Sequence, residues 1–447
     1  MPADWTIDSW RSKPVSQQAE YDDEAELERT LKQLTTLPPI VTSWEVEKLK
    51  NHLAAVSRGE CFLLQGGDCS EKFTDCRSSS IDSKLKILLK MSLVLIHGGG
   101  KQVVRVGRIA GQYAKPRSSN TETIDGVSLP SYRGDLINRP QFTPEDRRPD
   151  PKNLLEAYSR SAMTINFIRS LLSGGFGDVH NPQVWDLSFA DQATRSDQYA
   201  QIVREMSGAV RFLETMVGRR LEELGATEFY TSHEGLHLPY EQAVSELPPL
   251  RDGWYNLGTH FPWIGDRTRA LGGAHIEYFR GLKNPIGVKV GPTMTPGELV
   301  DLANILNPDN EPGRLMFIHR MGEKRIADKL PVLLEAIKKS GHSVVWCSDP
   351  MHGNTYKTDS GIKTRHFDAI LSELEQAFAI HDEAGTILGG VHFELTGEDV
   401  TEVVGGARGL SEDDLHRAYE SDVDPRLNHE QALELAFLIA AQLRKRR

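Results

Sequence analysis

The sequence has few of the features that mark membrane, secreted or nucleic-acid-binding proteins. No apolar run approaches the ~20 residues needed to cross a bilayer, and residues 1–28 lack the character of a signal or transit peptide. We therefore expect a soluble, cytoplasmic protein without a membrane partner. The chain carries a net charge of −11, and its one basic run is the last four residues, so we expect no nucleic-acid partner. Four cysteines in 447 residues show neither Cys-x-x-Cys spacing nor a disulfide framework: Cys61, Cys69, Cys76 and Cys347.

Apolar, β-rich segments alternate with helical patterns through most of the chain. Nearly continuous runs of Val, Ile, Leu and Phe are typical of parallel strands buried on both faces. We predict eight strands, at 61–66, 102–107, 228–232, 254–260, 286–290, 314–319, 343–348 and 390–395. Strand–helix alternation of this kind predicts an α/β fold, a (β/α)8 TIM barrel. An open doubly wound sheet is the alternative, but Gly98-Gly99-Gly100 precedes a strand instead of following one, so its dinucleotide fingerprint fails.

Two segments exceed a minimal barrel. Residues 1–57 form a predicted N-terminal extension with a regulatory or subunit-contact role, and Thr42 and Glu45 within it have the spacing of a helix capping box. The catalytic barrel is predicted at residues 58–447. It contains a helical insertion at about 150–224, between the second and third strands, with helix-like stretches at 154–172 and 198–224. The insertion is either a cover for barrel helices or a regulatory or subunit-contact layer.

Residues able to bind a divalent metal follow several predicted strands. Glu394 shares one strand face with His392, and a carboxylate facing a barrel interior is costly unless it is paired or bound to a cation. Cys69 and His352 follow other strands. Each also has a structural interpretation: Cys69 as a small buried apolar residue, His352 as a hydrogen-bonded histidine, and Asp424 as a helix cap or turn former. Because barrel active sites lie at the carboxyl ends of the strands, the combination favours a catalytic metal centre.

Basic residues form a second group at the same predicted rim. Most lysines and arginines are solvated surface residues, but Lys289 lies between Val288 and Val290 in an apolar strand and is difficult to place at the surface. Arginine binds phosphate through two parallel hydrogen bonds. In an acidic protein, cations gathered at a barrel mouth therefore predict small anionic substrates, with phosphate favoured. The group comprises Arg108, Lys115, Arg117, Arg267, Lys289 and Arg320.

Several motifs together resemble one family, the long-form class II 3-deoxy-D-arabino-heptulosonate 7-phosphate (DAHP) synthases. The similarity extends from about residue 58 to residue 445, and residues 1–57 are similar to the family's N-terminal extension. The motifs include Gly66-Gly67-Asp68-Cys69 and Lys115-Pro116-Arg117-Ser118, within the segments 66–69, 107–118, 131–135, 231–234, 349–355, 390–397 and 424–428.

The resemblance implies a transferase that condenses phosphoenolpyruvate with erythrose 4-phosphate and water at the first step of the shikimate pathway. It implies one divalent metal (Mn, Co, Fe or Zn, with Mn favoured) bound by Cys69, His352, Glu394 and Asp424. Phosphoenolpyruvate would be bound by Arg108, Asp266, Arg267, Lys289 and Arg320, and erythrose 4-phosphate by Lys115, Arg117 and Ser118. Lys289 would donate a proton or stabilise charge, and Cys69 and His352 would serve catalysis through the metal.

The resemblance also implies regulation and assembly. The sequence departs from the family pattern at some positions. We expect aromatic amino acid effectors, a homo-oligomer (dimer or tetramer) and possibly a chorismate mutase partner. Asp266 replaces a usual Glu, and Val423 replaces a Cys found in many members, which excludes a disulfide from Cys69 to that position. Two other functions are open: a secondary-pathway, phenazine-type isoenzyme, and a catalytically silent regulatory subunit.

Overall fold

The computed structural model describes residues 4–176, 201, 202, 204, 205, 208, 216 and 227–446. Eight parallel strands close into a barrel, and each strand pairs with its neighbours in chain order. This confirms the predicted (β/α)8 barrel. The strands are β1 (Cys61–Gly67), β2 (Gln102–Arg108), β3 (Tyr230–Glu234), β4 (Phe261–Ile264), β5 (Ile286–Val290), β6 (Leu315–His319), β7 (Val345–Ser348) and β8 (Leu388–Glu394).

Helices surround the barrel and extend from it. Among the described residues, none of them combines the length and hydrophobicity that crossing a bilayer requires. In the described part of the chain, two-stranded antiparallel ribbons join Thr121–Ile124 with Val127–Pro130, Ser245–Glu246 with Tyr255–Asn256, and Thr355–Lys357 with Lys363–Arg365. The helices are Glu24–Leu34, Ser43–Ser57, Ser78–Gly99, Pro144–Arg147, Lys152–Ser173, Leu238–Ala243, Ala274–Arg280, Pro296–Leu306, Ile326–Ser340, Phe367–Ala384 and His429–Arg444.

The prediction for the fourth strand was wrong, whereas the other seven predicted ranges overlap observed strands. The barrel strand is Phe261–Ile264, and Tyr255–Asn256 pairs instead with Ser245–Glu246 outside the barrel. Pro262 weakens the sequence signal for a strand, because proline cannot donate a ladder hydrogen bond. Phe261 and Trp263 nevertheless fill the barrel interior, so tertiary packing decides the position of the strand.

Alternating strand residues build the two layers of the core. On β1, Leu63 faces the barrel interior, whereas Phe62 and Leu64 pack in the layer between strands and helices. Leu49, Leu53 and Val56 of the helix Ser43–Ser57 join the interior cluster beside Cys61, the first residue of β1. This helix therefore closes the amino-terminal end of the barrel and leaves the carboxyl end open for a site.

The N-terminal extension and the insertion contain the predicted helical structure where they are described. Thr42 and Glu45 form the predicted capping box, with Thr42 N donating to Glu45 Oε2 over 2.9 Å. The helix Lys152–Ser173 covers the first helix-like stretch of the insertion. The second stretch, 198–224, lies outside the described residues apart from six isolated positions. The regulatory or subunit-contact roles of both segments stay predictions.

Candidate active site

Three potential metal ligands from distant parts of the chain meet at the carboxyl end of the barrel. A thiol or carboxylate atom from each of Cys69, Glu394 and Asp424 lies within 4.8 Å of the others, and all three residues are buried. Gly67 on β1 lies opposite Glu394 on β8, so Cys69 emerges beside that carboxylate. Leu427 N donates to Glu394 O over 3.0 Å, which ties the segment carrying Asp424 to the same strand end.

His352 lies beside this group and completes the predicted ligand set. Its Nε2 lies 2.9 Å from Glu394 Oε1, and its Nδ1 lies 2.7 Å from Asp349 Oδ2. Burial would raise the pKa of Asp349, but the charges of His352 and Lys289 hold it well below its usual value. The Asp349 carboxylate thus fixes the imidazole with Nε2 directed to the site, which is the usual arrangement behind a metal-bound histidine.

Buried cations surround the carboxylates. Glu394 accepts from Arg108 Nη2 over 3.1 Å and from Arg365 Nη2 over 2.6 Å. Burial would raise the pKa of Glu394, but His352 and Arg365, together with other nearby cations, hold it well below its usual value. Lys115 Nζ contacts both Cys69 Sγ and Asp424 Oδ2. The cluster of thiol and carboxylates is therefore an anionic centre that accommodates positive charge.

The pKa of the Cys69 thiol is shifted in the opposite direction to those of Asp349 and Glu394. Burial, and then the Glu394 carboxylate, raise the pKa of Cys69 well above that of a free thiol. Lys115 and Arg108 offset only part of the cost of burying an ionised thiolate, and a bound cation would reduce that cost further. The pairing of this thiol with two carboxylates and an oriented imidazole fits a divalent metal with mixed S, N and O ligands.

Arg108 connects the strand ends to one another. Its guanidinium donates to Asp68 O over 2.9 Å and to Cys69 O over 3.1 Å, and its Nη1 lies 2.6 Å from His392 Nε2. The guanidinium also lies 5.2 Å from the ring centroid of Trp263. These contacts fix the cation at the base of the site, against the buried His392.

One cavity contains all four predicted metal ligands and most of the predicted anion-binding residues. Asp266 lines this cavity, and its Oδ2 accepts a hydrogen bond from Arg320 Nη1 over 3.2 Å. The aspartate side chain is shorter than the glutamate usual in the family, but it still orients an arginine. Arg267 is exposed at the rim. The lining consists of Cys69, Arg108, Gln112, Lys115, Pro116, Glu234, Trp263, Gly265, Asp266, Arg267, Lys289, Arg320, His352, Glu394 and Asp424.

Arg117 and Ser118 do not line that cavity. They follow Pro116, which does, and Ser118 is exposed. Arg117 Nη2 donates to Glu122 Oε1 over 2.6 Å. These two predicted residues therefore lie beyond the cavity, one and two positions past its lining. A ligand reaching them would extend outward from the candidate metal ligands.

Sequence reasoning missed several residues of the site, among them Glu234 and Arg365. Burial raises the pKa of Glu234 to about 7, although Lys115 and Lys289 act in the opposite direction, and within the described part of the chain its Oε1 has no hydrogen-bond partner. Its place at the end of β3 was visible in the sequence, but no pattern assigned it a role. Arg365, which is fully buried, lies on the ribbon strand Lys363–Arg365 outside the barrel, and no sequence signal indicated its contact with Glu394.

Comparison with known proteins gives matches over nearly the whole chain. The model of the Class-II DAHP synthetase family matches residues 5–440. A phospho-2-dehydro-3-deoxyheptonate aldolase of Neurospora crassa is 47% identical over 460 residues, covering 99% of this chain and 95% of the relative. The enzyme of that name from Streptomyces coelicolor is 46% identical (98% and 97% covered), and that of Mycolicibacterium smegmatis, AroG, is 44% identical (98% and 94% covered).

Proposed function

Since this chain belongs to the class-II DAHP synthetase family and is a DAHP synthase, we propose that its reaction takes place with one divalent metal in the cavity at the carboxyl end of the barrel. The enzyme condenses phosphoenolpyruvate with erythrose 4-phosphate at the first step of the shikimate pathway. The observation that carries the proposal is the convergence of Cys69, Glu394 and Asp424, with His352 beside them. Four distant parts of the sequence contribute these groups to one cavity.

We propose that Cys69, His352, Glu394 and Asp424 hold the metal. One thiolate and two carboxylates more than neutralise a divalent ion, and Arg108 and Arg365 balance the remaining negative charge. The donor set suits manganese, cobalt, iron or zinc, and the family resemblance favours manganese. When bound, the ion supplies Lewis-acid polarisation of the aldehyde that the enol carbon attacks.

The cations of the cavity form the proposed phosphoenolpyruvate site. Arg108, Lys289 and Arg320 line the cavity, and their charges offset those of a phosphate and a carboxylate. Arg320 is oriented by Asp266 Oδ2 and by its bond to His352 O over 3.0 Å. Arg267 stands at the rim, where it meets the substrate as it enters.

Lys289 and Glu234 are the proposed proton-handling groups. Burial lowers the pKa of Lys289, although the contact of its Nζ with Asp349 acts in the opposite direction. A lysine in this state releases a proton more readily than an exposed one. The pKa of Glu234, raised to about 7, lets its carboxyl group hold or accept a proton near neutral pH. The reaction adds water to the enolpyruvate carbon, so a group able to accept a proton is required in this cavity.

Erythrose 4-phosphate is proposed to extend from the metal-binding residues toward the outside. Lys115 lies inside the cavity and Arg117 and Ser118 lie beyond it, so one loop contacts a substrate along its length. In this arrangement Lys115 is near the aldehyde and Arg117 and Ser118 receive the phosphate. Separate cation groups for the two phosphates allow two anionic substrates to bind side by side.

The proposal is tested by following the loss of enolpyruvate absorbance with both substrates present. We expect turnover that a chelator abolishes and that manganese restores, because the ligand set alone cannot polarise the aldehyde. Turnover that is unaffected by complete metal removal would contradict the metal assignment. Absence of turnover with every metal of the set would favour a silent regulatory subunit. Turnover without inhibition by aromatic amino acids would favour a secondary-pathway isoenzyme.

Arg365→Lys is expected to weaken metal binding. Arg365 donates to Glu394 Oε2 and also to Thr355 Oγ1 over 3.0 Å, and a lysine cannot reproduce both contacts. Because loss of an outer partner of a ligand typically reduces metal affinity by roughly 10- to 100-fold, we expect a change of that size. Titration with manganese, read by calorimetry, measures it. Arg314→Lys is the control, since Arg314 is also buried but bonds backbone oxygens away from the site.

The remaining expectations, which come from the family resemblance or, for the location, from the sequence itself, stay predictions. They are control by aromatic amino acids, a homo-oligomeric state, a chorismate mutase partner and a cytoplasmic location. The four cysteines are free in the structure.

A further inference from the structure

The N-terminal extension reaches the loop that carries Arg117. Gln17 Nε2 donates to Arg117 O over 3.0 Å, and Gln17 Oε1 accepts from Arg117 N over 2.8 Å. One side-chain amide thus satisfies both backbone groups of a single residue, as a neighbouring strand would. The same Oε1 accepts from Arg133 Nη1 over 3.2 Å. Gln17 therefore joins the backbone of one arginine to the guanidinium of another.

The surroundings fix Gln17 independently of these contacts. Before it, the Trp5 indole donates to Glu277 O over 2.8 Å, and Pro14 O accepts from Ala274 N over 2.9 Å. After it, Gln18 bonds the backbone of Leu236 and Leu238. Gln17 itself has a φ of 62°, in the left-handed region that is unfavourable for a residue other than glycine. The unfavourable backbone conformation thus occurs at the residue whose side-chain amide contacts Arg117.

The two arginines that Gln17 contacts belong to a group of three, with Arg147, that carries more positive charge than its one carboxylate neutralises. Arg117 and Arg147 share the single carboxylate of Glu122, over 2.6 and 2.7 Å. Among the described residues Arg133 has no ion pair, and it bonds the neutral oxygens of Gln17 and Asn120. Three guanidinium groups against one carboxylate leave two positive charges, which suits a phosphate dianion. The proximity of Arg117 also adds to burial in lowering the pKa of Arg133.

We propose that Gln17 is a positioning residue for erythrose 4-phosphate, holding Arg117 and Arg133 so that both face the phosphate of this substrate. The inference rests on the proposed function, which assigns Arg117 to that phosphate. It adds Arg133 to the phosphate site and gives the N-terminal extension a direct part in substrate binding. Neutral amide contacts are suited to this purpose, because a carboxylate in the place of Gln17 would compete with the phosphate for the same cations.

The test compares Gln17→Ala with Gln18→Ala in steady-state kinetics. Gln18 is the matched control, since it is the adjacent residue, is equally half-buried and makes the same pair of amide-to-backbone bonds, but to Leu236 and Leu238. For Gln17→Ala we expect the KM for erythrose 4-phosphate to rise about tenfold, corresponding to about 1.4 kcal/mol. The KM for phosphoenolpyruvate and kcat should stay within about twofold of their original values, because the cavity contacts are unchanged.

Two further variants separate the possible failures. Gln17→Glu is expected to raise the same KM more than Gln17→Ala, because its charge attracts both arginines. Arg117→Ala is also expected to raise the KM for erythrose 4-phosphate. If Arg117→Ala leaves this KM unchanged, the proposed assignment of the substrate fails. Suppose instead that Arg117→Ala raises the KM for erythrose 4-phosphate. The positioning role of Gln17 is then overturned if Gln17→Ala behaves like Gln18→Ala, or if Gln17→Ala changes the KM values of both substrates equally.

Discussion

Cys69→Ala is expected to abolish metal-dependent turnover. The substitution removes the only sulfur ligand from a group in which donor atoms of Cys69, Glu394 and Asp424 lie within 4.8 Å of one another. Since loss of an outer partner already reduces metal affinity by roughly 10- to 100-fold, loss of a ligand should exceed that range. Metal content after dialysis and calorimetric titration with manganese measure the effect, together with turnover at saturating substrates.

The control for this prediction is a cysteine at the other end of β1. Cys61 begins β1 at the amino-terminal end of the barrel, whereas Cys69 follows the carboxyl end. Both cysteines are buried, so Cys61→Ala creates a comparable void without touching the site. We expect Cys61→Ala to bind metal and to turn over at nearly the original rate. Substantial metal-supported activity in Cys69→Ala would show that the thiol is not a necessary ligand.

Lys289→Met is expected to lower kcat by about 10²- to 10⁴-fold, the usual contribution of a positioned acid or base. The side chain of methionine fills a similar volume but carries no charge and no proton. Lys289 Nζ contacts Asp349, whose carboxylate orients His352, so metal content must be measured in parallel. An unchanged metal content with a reduced kcat assigns the loss to proton transfer or charge stabilisation at Lys289.

Lys50→Met is the matched control for Lys289→Met. Lys50 is also buried and is ion-paired, with Glu47 over 3.0 Å and Glu311 over 2.9 Å. It lies on the helix that closes the amino-terminal end of the barrel. We expect this variant to lose stability but to retain kcat. The role of Lys289 would be refuted by a kcat for Lys289→Met within tenfold of the original value.

Much of the site could be predicted because its residues follow strands that local sequence patterns reveal. In β8, the strand period of two places Glu394 and His392 on one face and Val391 and Phe393 on the other, whatever the rest of the fold is. The position of Lys289 between two valines follows equally from local sequence. The fourth strand was misplaced because Pro262 and a length of four residues give a weak local signal, whereas its interior packing depends on residues from other strands.

The sequence by itself determined the barrel, the carboxyl-end location of the ionisable residues and, through the family motifs, the candidate metal ligands. Those features are encoded locally, in strand periodicity and in the residues that follow each strand. Only the tertiary structure decided that Arg365 holds Glu394, that Glu234 is a buried carboxyl group within the cavity, and that Gln17 bonds Arg117 across 100 residues. Contacts between distant segments depend on how the closed barrel orients its loops, and no period or spacing in the chain records that orientation.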